Sequence, residues 1–562
     1  MTTERGPGRP QEEWPTVDLD PGAAAPRQPS SPYPPGTVRP PGEPIPVKRP
    51  PQQEQQPQQP QARPRPAPDV PLHEMPTRII PAVEPPQPPE PEPDPQPEGA
   101  GGGKRKRRLM VLVVLAVVVV LLAAAAVVLT RPSVANRLML PWAPNKPLAD
   151  EPAPMTLSRA ITVPTAKQPP TPGGVEKALA SVVGDPALGV LAGVVVDPST
   201  GDVLWEKDPG LASPPASTLK ILTTAAALLE LGPDARLTTR VVQGAPREVI
   251  LVGSGDPTLT VLKDSEDSFY PGAATVDELA EQVRKATGGK VDIVRVSTAA
   301  YRGPATGPGW DPSDAPSTYA APIEPVMVDG GRLDPTRFDA DRALEPALEA
   351  ARALATRLDA QAVSGEPDVS EDADVLGEVQ SPPVEELVTI ALTDSDNVLS
   401  EALARWVATE RGEEPSFDGA AKAVRAVLEE AGFDLAGVEI ADGSGLSPES
   451  KVPPRLLADI LTAAAGDDEV AQKLRPLLAG LPVAGGTGTL SDRYVDGQAE
   501  QAKGWVRAKT GTLDRVNTLA GTVLTESGST LVFALMSVGT DQQVARPALD
   551  DVVGALRGCG CS

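Results

Sequence analysis

Residues 109–130 form an unbroken apolar run of Leu, Met, Val and Ala with one closing Thr, and that run divides the chain into parts facing different solvents. About 20 such residues cross a hydrocarbon core as a helix, so a membrane span is expected. Lys104-Arg105-Lys106-Arg107-Arg108 stands directly before it. Basic flanks stay cytoplasmic, which places residues 1–108 inside and everything after Arg131 outside. The run lies far from residue 1 and is too long for a cleaved signal, so an uncleaved signal anchor and a single-pass cell-membrane location are expected, with Ala123 to Ala126 leaving processing as the alternative.

Residues 1–103 hold 31 of the 68 prolines, together with Gln-rich and Pro-Glu runs. Too few apolar residues remain to offset ordering entropy, and a disordered cytoplasmic tail is expected. Polyproline II segments suit a plain spacer first, with docking of cytoplasmic partners, SH3-like or other, as the second use. Charge follows the same division. Residues 1–108 carry 14 acidic and 14 basic side chains, leaving 62 acidic and 37 basic beyond them, so the net charge of −25 is extracytoplasmic. Nucleic acid is thereby disfavoured as a partner. Cys559 and Cys561, the only cysteines, are too few for a zinc site; they pair with each other, pair with another chain, or lie idle at the C-terminus.

His73 is the only histidine, and it falls in the tail. The outer part therefore runs no Ser-His-Asp triad and holds no metal through imidazole, and a serine hydrolase there needs another base. Lysine is the candidate, and Ser217 and Lys220 supply the pair. They open a segment, Pro214 to Leu231, whose apolar residues cover nearly every direction of a helical wheel before Gly232-Pro233 stops it. Three residues apart, they share a face, and burial lowers a lysine's pKa enough to make it a base. S-x-x-K alone is a loose pattern, arising by chance about twice in a chain this long, and a serine there also reads as a plain helix cap.

Along the outer part, residues 131–174 read as a stalk, 175–240 as the first part of an α/β domain, 241–375 as one or two inserted subdomains, and 376–562 as the rest of the domain. A hairpin from Leu188 to Trp205 precedes the Ser217 helix. Within the insertion, Glu248 to Val252 reads as a strand, Thr275 with Glu278 as a capping box opening a helix, and Ala343 to Leu358 as a second helix. Ser395-Asp396-Asn397 follows Thr393-Asp394 and reads equally as a helix cap. Trp505 to Thr512, Asn517 to Thr525 and Leu531 to Val538 form an antiparallel meander, with Lys509-Thr510-Gly511-Thr512 expected on an inner strand, and a helix from about Ala545 closes the chain.

S-x-x-K, S-D-N and K-T-G, in that order, resemble the penicillin-recognising serine transferases and hydrolases. Within them the chain resembles the D-alanyl-D-alanine carboxypeptidase/endopeptidase family, peptidase family S13. Further blocks carry the likeness: Gly255-Asp256-Pro257-Thr258-Leu259, Asp442-Gly443-Ser444-Gly445-Leu446-Ser447, Leu481 to Gly485, and Gly488-Thr489-Leu490. So does the interval of 178 residues from Ser217 to Ser395, long enough for inserted domains. Two features depart from the family: Pro448-Glu449-Ser450-Lys451 stands where a basic residue and Asn are usual, and the insertion is short.

The resemblance implies a penicillin-binding transpeptidase/β-lactamase-like fold, an antiparallel five-stranded sheet flanked by helices. It implies a serine-type D-Ala-D-Ala carboxypeptidase acting on peptidoglycan stem peptides, acylated by β-lactams, without metal or cofactor. Ser217 is then the nucleophile, Lys220 the base, and Ser395 the relay to the departing D-alanine. Asn397 holds the peptide amide, Lys509 and Thr510 the terminal carboxylate, and Gly511 clears space for substrate backbone. The N–H groups of Ser217 and Thr512 form the oxyanion hole. A β-lactamase and a non-catalytic wall-associated scaffold are the competing readings.

Overall fold

The computed structural model describes residues 169–560 apart from 264 and 371. The tail, the apolar run and most of the stalk lie outside these residues, as does Cys561. Among the described residues no helix is long and apolar enough to cross a membrane.

Helix α1 (Pro172–Leu179), capped by Thr171, leads into β1 (Val190–Val196) and β2 (Val203–Lys207). A 3-10 turn over Ala216–Leu219 runs straight into α2 (Lys220–Leu231). Within the expected Pro214 to Leu231 segment the α-helix thus starts only at Lys220, with the serine on a tighter turn. Every residue of α2 from Lys220 to Leu228 is buried. After the insertion the chain continues as α5 (Val384–Thr393), α6 (Asn397–Glu410), α7 (Phe417–Glu430), α8 (Pro454–Ala465) and α9 (Glu469–Gly480). Strands β8 (Val506–Leu513), β9 (Val516–Leu524), β10 (Thr530–Val538) and helix α10 (Gln542–Arg557) complete it.

The main sheet is antiparallel in the order β2-β1-β10-β9-β8. Its two faces are read directly from β10. Leu531, Phe533 and Leu535 enter a core with α1 and α10, whereas Val532, Ala534 and Met536 enter one shared with α2 and α8. A strand covered on both faces has no polar side, which is why this sequence is continuously apolar. One expectation is corrected here: β8, which carries Lys509-Thr510-Gly511-Thr512, is the edge strand and not an inner one. Strand order depends on which distant segments pair, and local sequence does not encode it. On its outer side Val506 to Ala508 bond to Pro482–Ala484, and the edge is open from Lys509 onward.

Between α2 and α5 a second sheet takes the order β6-β5-β4-β3-β7, from β3 (Thr238–Gln243), β4 (Glu248–Gly253), β5 (Ile293–Ser297), β6 (Gln361–Ala362) and β7 (Val375–Gln380). It is mixed, with β4, β5 and β6 parallel. Helices α3 (Val276–Thr287) and α4 (Pro346–Leu358) pack with it around a core of its own, and α3 has the Thr275–Glu278 capping box. A loop-rich stretch between β5 and α4 reaches α6 and the Asp442 loop, where Arg332, Tyr319 and Trp310 meet Asp396, Asn397 and Asp442.

Candidate active site

The turn bearing Ser217 is held by close packing. Ala216 has a left-handed φ of 48°, a strained conformation for a non-glycine residue. Thr218 and Thr518 both donate their hydroxyls to Pro215 O, at 2.7 and 2.8 Å. Gly511 and Gly445 press on the same turn. A Cβ at Gly511 would lie 2.7 Å from Pro215 O and collide with Thr518 Oγ1; one at Gly445 would collide with Ala216 O. Gly511 is therefore needed to let β8 meet the Ser217 turn.

Lys220 is fully buried, and its Nζ donates to three acceptors: Ser217 Oγ at 3.1 Å, Asn397 Oδ1 at 2.6 Å and Ser444 O at 2.7 Å. Burial pulls its pKa from 10.5 down to about 8, against the opposing pull of Asp442, Glu401 and Asp396. Sequence reasoning missed the two acids behind it. Glu401 accepts from Gly443 N and Ser444 N and pairs with Arg405. Asp442 accepts from Trp310 Nε1, Gly445 N and Ser447 N. Burial, reinforced by Asp442, pushes Glu401 up to about 7, and burial likewise raises Asp442. Glu401 was accessible from sequence, since it lies one helical turn beyond Asn397 on the same face.

The Ser395-Asp396-Asn397 triplet is both cap and site. Asp396 caps α6 through Leu399 N, so the cap reading is correct for this residue. Its other oxygen accepts from Tyr270 Oη at 2.8 Å and pairs with Arg332 at 3.3 Å and Arg342 at 3.9 Å, all three from the insertion. Although burial opposes ionisation, Arg342 and Arg332 together hold this carboxyl far below the usual carboxylate range. The clamp fixes a loop in which Ser395 has a φ of 59°. Asn397 does not face the cleft with a free amide: Oδ1 receives Lys220, and Nδ2 donates to Tyr319 O at 3.2 Å.

Lys509 also departs from expectation. It is fully buried, and its Nζ donates to Ser395 Oγ and Thr510 O, both at 2.9 Å. Burial, then the charge of Lys220, lowers its pKa well below the ordinary value. It serves Ser395 and does not line the cleft. Thr510 does, with Oγ1 bonded to Thr489 Oγ1 at 2.8 Å, as does Thr512, whose Oγ1 accepts from Arg546 Nη2 at 2.9 Å. The open edge of β8, the Ser217 turn, the Ser395 loop and the insertion's Tyr319 enclose a cleft of about 810 Å³. A serine exposed to that cleft, backed by a low-pKa lysine, suits acyl transfer.

A family model described as D-Ala-D-Ala carboxypeptidase 3 (S13) matches residues 175–344 and 339–558. A carboxypeptidase DacB of Mycolicibacterium smegmatis is 44% identical over 417 residues, covering 73% of this chain and 90% of that protein. Carboxypeptidase Rv3627c of Mycobacterium tuberculosis is 42% identical over 422 residues, covering 74% and 90%. Among solved structures, penicillin-binding protein 4 (dacB) from Haemophilus influenzae matches with a TM-score of 0.54 at 18% identity, over 69% of this chain and 97% of that one. The last is a likeness of fold.

Proposed function

Because the chain belongs to the D-Ala-D-Ala carboxypeptidase 3 (S13) family, we propose that it removes the terminal D-alanine of peptidoglycan stem peptides through an acyl-enzyme on Ser217. The chain is a serine-type carboxypeptidase, and the observation that carries the assignment of roles is the 3.1 Å bond between Ser217 Oγ and the Nζ of fully buried Lys220. In its neutral form Lys220 takes the hydroxyl proton as Oγ attacks the penultimate D-Ala carbonyl. The C–N bond then breaks, and the departing amine receives a proton by way of Ser395, whose oxygen Lys509 holds. Backbone N–H groups of Ser217 and Thr512 hold the oxyanion, each such donor being worth about 3–4 kcal/mol. Water hydrolyses the ester and returns Ser217.

β-Lactams are acylating inhibitors on this reading, since they present a strained amide and a carboxylate to the same groups. An extracytoplasmic position follows from the run of basic residues at 104–108 and the apolar run at 109–130, which together act as a single-pass anchor. Cytoplasmic partners belong to the Pro-rich tail. Intact-mass analysis after brief exposure to benzylpenicillin is the test. One adduct per chain on the wild type and none on Ser217→Ala, with D-alanine release from a D-Ala-D-Ala peptide following the same pattern, is the expected result. Peptide turnover or an adduct surviving in Ser217→Ala overturns the assignment of the nucleophile.

A further inference from the structure

A substrate that ends in a carboxylate enters a cleft whose lining is acidic. Asp314, Asp339, Asp394, Asp492, Asp514 and Asp541 all reach it, on a chain of net charge −25. The terminus therefore needs a fixed cation beside Ser217. Lys509 is poorly suited, because its Nζ is committed to Ser395 Oγ and Thr510 O, away from the cleft surface. Four arginines line the cleft. Arg342 belongs to the Asp396 clamp, Arg493 is held by Asp550 at 3.0 and 2.6 Å, and Arg515, exposed, donates to Gly539 O. Arg546 remains.

Arg546 sits in the first turns of α10, half-buried, and among the described residues it forms no ion pair. Its Nη2 donates to Thr512 Oγ1 at 2.9 Å. Because the Thr512 oxygen accepts that bond, its own hydroxyl proton is free to donate into the cleft. Burial, then the neighbouring charge of Arg493, disfavours its cationic form against the opposing pull of Asp492 and Asp550, so an incoming anion relieves part of a cost that those acids leave uncompensated. A guanidinium also offers several donors in one plane, matched to a carboxylate.

We propose that Arg546 is the cation that receives the substrate's terminal carboxylate, together with the Thr510 and Thr512 hydroxyls, and that it sets the preference for peptides ending in a free acid. Lys509 is thereby released from that role and acts on Ser395. The inference rests on the D-Ala-D-Ala carboxypeptidase reading.

The test compares two N-acylated tripeptides ending in D-Ala-D-Ala, one with a free C-terminal carboxylate and one C-terminal amide, on wild type, Arg546→Gln and Arg546→Lys. Acylation by benzylpenicillin methyl ester, which lacks the carboxylate, reports whether Ser217 and Lys220 remain intact. A charge-assisted hydrogen bond corresponds to about 10- to 150-fold in binding or rate. Arg546→Gln is expected to lose about that factor in kcat/KM on the free acid, to keep its rate on the amide and the methyl ester, and thus to lose the preference for the acid. Arg546→Lys recovers part of it. Equal loss on acid, amide and methyl ester marks a structural defect and overturns the proposal, as does undiminished turnover of the free acid by Arg546→Gln. Failure of the wild type to cleave the acid or to be acylated overturns this inference and the underlying function together, whereas a failure confined to Arg546 overturns this inference alone.

Discussion

Replacing Glu401 by Gln should make acylation faster at neutral pH, although it removes a buried group behind the site. In the wild type the Lys220 pKa near 8 leaves about a tenth of the chains with a neutral lysine at pH 7. Glu401 accepts from the N–H of Ser444 and Lys220 donates to the carbonyl of the same residue, on two successive peptide units, which sets their charges roughly 7 Å apart. With an effective dielectric of about 20, that separation corresponds to ~2.4 kcal/mol, or ~1.7 pKa units at full charge. Glu401, with its own pKa near 7, is largely ionised where Lys220 titrates. Removing its charge should therefore lower the lysine by about 1.5 units and raise the neutral fraction at pH 7 about eight-fold. Gln keeps the oxygen that accepts from Gly443 N and Ser444 N. The assay is the second-order rate of acylation by benzylpenicillin from pH 5 to 10. Wild type should rise ten-fold per pH unit and level off near 8; Glu401→Gln should level off near 6.5. A limb that stays put or moves upward would refute neutral Lys220 as the base.

Three further outcomes follow from the geometry. Asp396→Asn leaves Arg332 and Arg342 buried without a counter-charge, and loss of about 3 kcal/mol is expected in urea unfolding. Because the folded carboxyl is held below its unfolded value of 3.8, the ionised contribution is fully present above that pH and is lost progressively as pH falls from there to the folded value, so the wild type should begin to approach the variant only below about pH 4; a pH-independent gap would refute the clamp. Gly511→Ala pushes a methyl group against Pro215 O and Thr518 Oγ1, and overpacking of about 1–3 kcal/mol should fall on the turn that aims Ser217, with acylation slowed ten-fold or more and far-UV circular dichroism unchanged. Phe533→Ala, in the middle of β10 with no exposure, should cost about 3–5 kcal/mol without moving the pH profile of whatever protein remains folded.

Residues near one another in sequence made much of this site legible. Ser217 and Lys220 share a face at a spacing of three, and the residue pattern of β1, β9 and β10 marks strands covered on both sides. Asp396 shows how two readings merge, since one side chain caps α6 and organises the site. What stayed hidden depends on long-range placement. Arg332 and Arg342 sit in irregular loops, and nothing local says they meet a carboxylate some sixty residues further along. Arg546 is one more charged residue on a terminal helix until β8 is seen to be an edge. Lys509 shows the same limit: its burial and its bonds to Ser395 Oγ and Thr510 O depend on how β8 abuts the Ser395 loop.

The insertion enters and leaves at adjacent points: Thr238 pairs with Gln380 across β3 and β7, and Ser381 N donates to Leu237 O. By connectivity it resembles a graft that a single short joint would replace, and closing such a gap is entropically cheap. Its side chains say otherwise. Excision would remove Tyr270, Arg332 and Arg342 from Asp396 and Trp310 from Asp442, leaving two buried carboxyls of the remaining enzyme with backbone N–H partners but without their side-chain ones. A single deletion that closes the chain would therefore unsettle the site, and the piece that connectivity makes removable is one on which that site depends.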